Sequence, residues 1–414
     1  MKHSGTIFTV RTKAFRSFRD ETAFEIRPLT LLYGFNQAGK STLLRLLPLL
    51  AESIQPHAGP LALSCPAVGG ASLKEMGWLG KNPNMSPKIT IEASCLPSSP
   101  NLTIQFTNDN GLLVNRLKIV SHEKEVFSVD YQKMASRNGK ETRAIYTGTC
   151  NGIAWTGELR FNTMLPSGLP ENAEKIVKEI HCAIKSLERL QWLQANRITA
   201  QPHNDRNSLC CHSDGTDLPD LLNNQEGQEQ LKKISGWLQG QDGLGNEISI
   251  RPNFAGHLEF IHGAQGREQL PLFLAGEGIR SLLPIIACAC WAENKNESAP
   301  SMLAVEEIEA HLHPTVQVAL FDRLIETVRT GIPIALETHS VYLLRAMQLA
   351  VLEGRLLPED ISLYWIEQAK DSAATASRIE IRPDATLVGW RPDIFEKEQE
   401  LAHRILDLRW TGRK

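Results

Sequence analysis

The chain has 414 residues, of which 42% are hydrophobic, and its formal net charge is −3 with a pI near 6.5. This length and apolar content allow one large core, so we expect a single elaborated domain over residues 1–414. The nearly balanced charge gives no electrostatic reason to expect a nucleic-acid or anionic-membrane partner. The longest apolar run, Leu282 to Ala292, is far shorter than the roughly 20 residues that span a bilayer, and the N-terminus lacks a signal-peptide core, so we expect a soluble cytoplasmic protein.

The first predicted elements lead into a glycine-rich loop. Residues 6 to 33 predict two strands, TIFTVRTK and FEIRPLTLLYG, with a polar turn between them. The second strand runs directly into the glycines, and a leucine-rich helix follows from Ser41. Pro48 is expected to kink or end that helix.

The loop itself, GFNQAGKST, carries the spacing Gly-x-x-x-x-Gly-Lys-Ser at a strand-to-helix junction. Glycines let backbone N–H groups surround a β-phosphate, and the helix N-terminus adds partial positive charge. Lys40 can then reach the β- and γ-phosphates, and Ser41 can hold Mg²⁺. We therefore predict a site for ATP and Mg²⁺ whose residues in this loop are Gly34, Asn36, Gln37, Ala38, Gly39, Lys40, Ser41 and Thr42.

The middle of the chain changes character twice. Alternating segments such as KITIEASC and NLTIQFTN predict an antiparallel, β-rich arm over residues 55–170. From Glu171 to Leu193 apolar residues recur at helical spacing, which predicts one amphipathic helix of about six turns. Residues 171–247 as a whole are interpreted as a helical insertion and surface connection.

Strands and helices alternate in the remaining part, over residues 248–370. A strand pair, a helix from about Ile279, the strand SMLAV, a helix after Pro314, the strand PIALE and a helix after Ser340 follow one another. Residues 371–414 are a C-terminal extension. The predicted fold class is α/β: a P-loop NTPase with a mixed central sheet, a β-rich N-terminal lobe and an inserted helical segment.

Two acids follow the strand SMLAV, where a P-loop enzyme needs carboxylates. Glu306 is the candidate Mg²⁺ ligand, and Glu307 is the candidate base that polarises the attacking water. His339 follows PIALE at the same predicted sheet edge and is a candidate contact for the γ-phosphate.

Metal-site alternatives remain open at two places. The string EEIEAHLHP offers carboxylates and imidazoles to a metal, but it lacks the His-Glu-x-x-His spacing of a metal hydrolase. Cys210, Cys211 and His212, with His203 nearby, are metal-binding residue types, although a polar loop is the favoured interpretation.

Four segments in order, GFNQAGKST, FLAGEGIRSLLPII, MLAVEEIEAHLHP and ALETHS, resemble the ABC class of ATPases. The resemblance implies that Leu274 to Gly278 is the signature segment, whose Ala275, Gly276 and Gly278 face the ATP of a second subunit and close a nucleotide-sandwich homodimer. It also implies that His339 is the switch histidine. LAGEG departs from the LSGGQ pattern at Ala275 and Glu277, and Glu306 stands where transporter-type members usually have aspartate.

FRSFRDETAFEIRPLTLLYG and EEIEAHLHP look like the RecF-related branch, which includes the ATPase half of OLD-type (overcoming lysogenization defect) nucleases and bacterial ATPases encoded beside antiphage nucleases. The resemblance implies a separately encoded effector such as a nuclease. The chain leaves no room for the TOPRIM nuclease module of OLD-type members, so no intrinsic nuclease is expected. The short helix predicted at 171–193 argues against SMC-type proteins.

Three functional hypotheses result. The favoured one is a Mg²⁺-dependent ABC-type ATPase that dimerises on ATP and gates a nucleic-acid-processing or antiphage-defence effector. The second is a non-hydrolysing, nucleotide-dependent scaffold or sensor, and the third is the ATPase subunit of a membrane transporter. DNA or RNA contact is implied by the resemblance alone; its candidate residues also suit a solvated face, and they are Arg11, Lys13, Arg16 and Arg19.

Overall fold

Strands with one buried face and strands buried throughout lie in different sheets, as the strands Thr22–Ile26 and Leu29–Gly34 show. The computed structural model describes residues 5–57, 59–78, 86–108, 112–138, 141–198, 210–240, 247–253, 256–263, 269–368, 372–391 and 396–411. Among these residues, no helix combines the length and apolar content that crossing a membrane requires.

The elements up to residue 161 are mainly strands. In chain order they are β1 (Phe8–Lys13), β2 (Thr22–Ile26), β3 (Leu29–Gly34), α1 (Lys40–Leu44), α2 (Leu46–Ile54), α3 (Leu73–Met76), β4 (Lys88–Glu92), β5 (Asn101–Asn108), β6 (Leu112–Ser121), β7 (Lys124–Asn138), β8 (Glu141–Cys150) and β9 (Ile153–Phe161).

The later elements alternate between helices and strands. They are α4 (Glu171–Ala183), β10 (Leu190–Leu193), α5 (Leu218–Leu222), α6 (Gln225–Gln239), β11 (Glu247–Pro252), β12 (Leu258–Gly263), β13 (Leu270–Pro271), α7 (Glu277–Ala292), β14 (Met302–Val305), α8 (Pro314–Arg329), β15 (Ile334–Glu337), α9 (Val341–Leu352), β16 (Ile361–Gln368), β17 (Ala374–Ile381), β18 (Leu387–Val388) and α10 (Glu396–Thr411).

An eight-stranded antiparallel sheet has the order β2-β1-β4-β5-β6-β7-β8-β9. Its strands alternate between buried and more exposed residues, as expected of a sheet with one face on a core. That core also takes in the apolar side of α4, including Ile176 and Ile180. Strands β4 to β9 lie within the segment predicted to be β-rich, and β1 and β2 extend the same sheet.

The seven-stranded central sheet has the order β10-β14-β15-β3-β16-β17-β18. Its first five strands are parallel, β17 is antiparallel to them, and β18 is antiparallel to β17 and so runs in the direction of the first five. Strands β3, β10, β14 and β15 are buried along their whole length because helices cover both faces. This mixed sheet with a P-loop after β3 confirms the predicted α/β P-loop NTPase fold.

The helix predicted from Glu171 to Leu193 is wrong in its second half. Helix α4 ends at Ala183, a short 3₁₀ turn covers Lys185–Leu187, and Leu190–Leu193 forms β10, which pairs in parallel with β14. The backbone of β10 finds its hydrogen bonds in the sheet, and Gln191 adds side-chain bonds to Cys211. Apolar spacing alone cannot separate so short a buried strand from a helix end.

The strand predicted as FEIRPLTLLYG divides into two strands in different sheets. Pro28 lacks a backbone N–H and restricts Arg27 before it, so the chain turns there from the antiparallel sheet to the central one. The helix after the loop also divides, at Arg45 rather than at Pro48. A proline ring is incompatible with a helical carbonyl four residues earlier, here that of Leu44, which explains a break ahead of the proline.

A smaller sheet, β11-β12-β13, and helices α5 to α7 cover one face of the central sheet. These elements include part of the segment 171–247, which the sequence predicts to be a helical insertion and surface connection. Residues 203–209 and 241–246 lie outside the described residues, but α6 buries Leu231, Ile234 and Leu238 in the second core. This segment therefore packs against the second core through the apolar face of the amphipathic helix α6.

Candidate functional site

The glycines of the phosphate-binding loop sit where a side chain does not fit. A Cβ on Gly34 would lie 2.0 Å from the carbonyl oxygen of Ile366 in the neighbouring strand β16. Gly39, with φ of 106°, starts α1, and a Cβ there would approach the ring of Phe18 to 3.2 Å. The loop therefore depends on glycine at both ends, as its motif predicts.

Lys40 begins α1 and is only 3% exposed. Its ammonium group donates a hydrogen bond of 3.0 Å to the carbonyl oxygen of Phe35, inside its own loop, and lies 3.7 Å from Oε1 of Glu337. Burial lowers the pKa of Lys40, although Glu337, Glu307 and Glu309 act in the opposite direction. The cation is thus held against acids at the site predicted for phosphate.

Ser41 contacts an acid that the sequence interpretation left without a role. Its hydroxyl donates a 2.8 Å hydrogen bond to Oε1 of Glu337, the last residue of β15. Glu337 is 3% exposed, and burial raises its pKa to about 7 even though Ser41 and Lys40 favour the charged form. Its other oxygen, Oε2, is buried and has no hydrogen-bond partner among the described residues.

Glu306, the predicted Mg²⁺ ligand, directly follows β14 and is also buried. Its two carboxylate oxygens accept hydrogen bonds of 2.5 and 2.8 Å from the guanidinium of Arg45, and Oε1 also accepts one of 3.1 Å from Nε1 of Trp192. Arg197, fully buried, donates to the backbone carbonyl of Glu306, and burial lowers the pKa of Arg197 to about 10. Ser41 and Glu306 thus bind different partners in this structure.

Glu307, the predicted base, differs from the buried and hydrogen-bonded Glu306 in its exposure and in its contacts. It is exposed, its φ of 40° turns its backbone into the left-handed region, and its side chain makes no hydrogen bond to the rest of the described chain. A general base needs a carboxylate that is free to accept a proton. The position of Glu307 is compatible with that requirement.

His339 lies beside the start of the phosphate loop. A hydrogen bond to the backbone of Gly34 raises its pKa, but burial and the charge of Lys40 lower it overall. Glu309 fixes the turn, because its two oxygens accept hydrogen bonds of 2.6 Å from the backbone N–H of His339 and the hydroxyl of Thr338. The predicted loop and the predicted switch histidine are therefore adjacent within one chain.

The predicted signature segment lies on the surface. A 3₁₀ turn over Leu272–Leu274 leads to Gly276, which caps α7, and the helix begins at Glu277, slightly before the predicted start at Ile279. Leu274 is 61% exposed, and a Cβ on Gly276 would meet nothing within 4 Å. Within the described chain, no hydrogen bond joins Ala275, Gly276 or Gly278 to the phosphate loop.

Five residues around the site were not assigned a role from the sequence: Arg45, Trp192, Arg197, Glu309 and Glu337. A charged residue closing the apolar strand IALE was a usable signal for Glu337. Arg45, Trp192 and Arg197 gave no such signal, because their contacts with Glu306 join segments far apart in the sequence.

The alternative metal site near Cys210 is not assembled among the described residues, where no cluster of metal-binding side chains occurs. Cys211 is buried with its sulfur 3.8 Å from that of Cys288, and His212 donates its backbone N–H to Asp217. His203 lies outside the described residues.

Among solved structures, the chain is similar to three heads of the SMC type. One is described as the SmcHead bound to the C-winged helix domain of ScpA (11% identity, 90% of this chain and 98% of that chain covered, TM-score 0.47). The SMC head domain from Thermotoga maritima is 13% identical, with 90% of this chain and 98% of that chain covered and a TM-score of 0.41. An SMC head bound to the C-terminal domain of ScpA from Pyrococcus furiosus is 10% identical, with 96% of this chain and 98% of that chain covered and a TM-score of 0.46. No curated protein sequence matches the chain.

A family model matches residues 29–345, from β3 through the start of α9. Its description is "AAA domain, putative AbiEii toxin, Type IV TA system". The matched region contains the phosphate loop, the paired acids after β14 and the histidine after β15. By sequence and by the sheet order that places these groups, the chain belongs to this family of AAA-type P-loop ATPase domains.

Proposed function

We propose that the protein binds ATP with Mg²⁺ and hydrolyses it, and that two copies close on the nucleotide to control an effector. The observation that carries this proposal is the meeting of the phosphate loop, the paired acids and His339 at the carboxyl ends of β3, β14 and β15. Parallel α/β sheets bind ligands at that edge. Three separate motifs converge there on one site.

The side chains suit Mg²⁺ as the companion of ATP. Mg²⁺ prefers a few hard oxygen ligands besides the phosphates, and Ser41 and the nearby carboxylates offer them. The buried, unpaired oxygen of Glu337 supports a cation at this position. Bound there, the metal ion would neutralise charge on the phosphates.

Each predicted side chain has a distinct role. Lys40 neutralises the β- and γ-phosphates, which requires it to leave the carbonyl of Phe35. Ser41 and a buried acid beside it, Glu306 or Glu337, would hold the metal ion, and Glu307 accepts a proton from the attacking water. His339 contacts the γ-phosphate and reports its presence to the loop at Gly34.

The dimer is proposed from the exposed signature segment. Ala275, Gly276 and Gly278 lie at the N-terminus of α7, a position that favours an anion; Gly276 is exposed, and Ala275 and Gly278 are half-buried. The exposed side chains of Phe273 and Leu274 beside them add apolar surface for such a contact.

For the effector we propose a separately encoded protein, such as a nuclease, in antiphage defence or nucleic-acid processing in the cytoplasm. The RecF and OLD-related resemblance supports this, and the family description, with its toxin–antitoxin system, is compatible with it. Direct DNA or RNA binding is a further part of the proposal. The antiparallel sheet, as the β-rich arm, is the proposed place for partner contact.

A second candidate function is a nucleotide-dependent scaffold that turns over negligibly. One observation favours it: both oxygens of Glu306 are occupied by Arg45, so the acid is not available to a metal in this state. Hydrolysis would then await a partner that separates the pair.

Phosphate release in the presence of Mg²⁺ and ATP tests the proposal, with Lys40→Ala as background and with DNA or the candidate effector added in turn. Turnover above that background under any of these conditions supports the ATPase. Tight ATP binding without turnover under all of them identifies the scaffold, and the absence of nucleotide binding rejects both.

A further inference from the structure

Ser41 carries the hydroxyl that P-loop proteins use to hold Mg²⁺, and the acid that contacts it here is Glu337. The distance between Ser41 Oγ and Glu337 Oε1 is 2.8 Å. No corresponding bond joins Ser41 to Glu306 in the described chain, since the oxygens of Glu306 bind Arg45 and Trp192.

The second oxygen of Glu337 is the clearest sign of a missing ligand. Oε2 is buried and has no hydrogen-bond partner among the described residues, although Oε1 is satisfied by Ser41. A buried carboxylate oxygen without a donor is costly, and such an atom in a folded protein calls for an explanation such as a bound ion. The cation in an ion pair with Glu337, Lys40 at 3.7 Å from Oε1, is itself the residue expected to turn to the phosphates.

The sheet order explains why Glu337 reaches Ser41. Strand β15 pairs directly with β3, and Glu337 lies opposite Leu32, close to the end of β3. Strand β14, which carries Glu306, is the next strand beyond β15. Neighbouring strands are about 4.8 Å apart, so Glu306 starts about 10 Å from the loop strand and Glu337 at half that distance.

Glu306 is also held in place. Both of its oxygens bind the guanidinium of Arg45, and the ring of Trp192 lies 5.6 Å from that guanidinium as well as donating to Oε1. Binding Mg²⁺ would require this desolvated, bidentate pair to break. Glu337, in contrast, is paired with Lys40 at the longer distance of 3.7 Å.

We infer that Glu337 is a carboxylate ligand of the nucleotide-bound Mg²⁺, beside Ser41, and that Glu306 serves mainly as the anchor of Arg45. This inference rests on the proposed function, because it assigns a residue to the metal of that same site. The metal-binding acid is then Glu337, the last residue of β15, which directly precedes Thr338 and His339. Strand β15 is the neighbour of β3, the strand that leads into the phosphate loop.

The test measures metal binding rather than turnover. The full chain is saturated with the non-hydrolysable analogue AMP-PNP and titrated with Mn²⁺, and free Mn²⁺ is followed by electron paramagnetic resonance. Glu337→Gln keeps the shape and an acceptor for Ser41 but removes the charge. We expect it to weaken Mn²⁺ binding by at least about tenfold, and Glu306→Gln by less than about threefold.

Two further variants serve as controls. Glu337→Asp keeps the charge on a side chain that is one methylene shorter, so the carboxylate lies farther from the metal site. The Mn²⁺ affinity of this variant should fall between those of the wild type and Glu337→Gln. Glu326→Gln removes a glutamate from the exposed side of α8 and should leave the affinity unchanged. Binding of a fluorescent ATP analogue in EDTA, expected to be equal in wild type and Glu337→Gln, shows that the loop is intact.

Mn²⁺ affinity of Glu337→Gln within about threefold of wild type, or a larger loss in Glu306→Gln, overturns the inference while leaving ATP binding established. If Glu337→Gln does not fold, the Mn²⁺ affinity of Glu337→Asp is measured instead. A wild-type Mn²⁺ affinity in Glu337→Asp then overturns the inference. A wild-type chain that binds no nucleotide, with or without metal, overturns the proposed function and this inference together.

Discussion

The guanidinium of Arg45 binds both carboxylate oxygens of Glu306, at 2.5 and 2.8 Å. Arg45 follows α1, the helix that starts with Lys40, and Glu306 follows β14. The pair therefore ties the helix of the phosphate loop to the strand that carries the acids. The pKa of Arg45 is raised, and the hydrogen bonds to Glu306 are the largest cause.

Replacing Arg45 by methionine should destabilise the protein by about 2–3 kcal/mol, because Glu306 stays buried without its cation. The double variant Arg45→Met/Glu306→Gln should recover much of this loss, since neither charge remains. Urea unfolding of the two single variants and the double variant measures the coupling. Strictly additive losses would contradict a direct interaction, and Arg355→Met, at a more exposed pair with Asp322, should cost less than about 1 kcal/mol.

Lys40→Ala should weaken ATP binding by about a hundredfold, because it removes the buried charge that is proposed to neutralise phosphate. Equilibrium binding of a fluorescent ATP analogue measures the effect. Lys178→Ala, at a solvent-exposed pair with Glu174 on α4, is the matched control and should bind as wild type. Unchanged affinity in Lys40→Ala would remove the loop as the nucleotide site.

Glu307→Gln should slow phosphate release by at least about a hundredfold while ATP binding stays within twofold of wild type. Glu307 is exposed and makes no hydrogen bond to the described residues, so the substitution leaves the packing unchanged. Phosphate release and nucleotide binding are measured on the same preparation. A variant that turns over like wild type would show that another group activates the water.

Gly34→Ala should destabilise the protein by at least about 3 kcal/mol, because a Cβ at that position overlaps backbone that cannot move without breaking β16. The overlap is with the carbonyl oxygen of Ile366, at 2.0 Å. Gly70→Ala is the control: its φ is 70°, but a Cβ there meets nothing within 4 Å, so only the backbone cost of about 1–2 kcal/mol applies. Thermal unfolding of both variants distinguishes the two effects, and equal losses would reject the close approach at β16.

Gly276→Asp should prevent ATP-dependent dimerisation without affecting the monomer. Its φ of −60° suits any residue, and the space around it is open, whereas the new carboxylate would face a phosphate in the dimer. Size-exclusion chromatography with light scattering, in the Glu307→Gln background with ATP, measures this. A dimer that survives the substitution would exclude this segment from the interface.

Much of the central sheet could be predicted from the sequence. β3, β14 and β15 are short apolar runs that each end in a distinctive polar motif, so both their type and their common edge follow from local pattern. β10 was missed because its four buried residues continue the apolar spacing of α4, and only its pairing with β14 distinguishes it.

Part of the candidate site could likewise be predicted from local sequence patterns, and part could not. Lys40 and Ser41 are specified by a motif in one segment, whereas the partners of Glu306 come from the junction of α1 and α2, from β10 and from the segment after β10. No local pattern encodes such contacts. Glu337 was visible as a charge at a strand end, but its role depends on which strand lies beside β3, which is a property of the topology.

Only Arg27 and Pro28 connect β2 in the antiparallel sheet to β3 in the central sheet. A link of two residues spans about 7 Å and has little slack, and the fixed φ of proline reduces it further. The ring of Phe18, in the turn before β2, also lies against Gly39 of the phosphate loop. We therefore expect a displacement of the antiparallel sheet to reach the phosphate loop through this short link, and nucleotide binding at the loop to affect that sheet through the same connection.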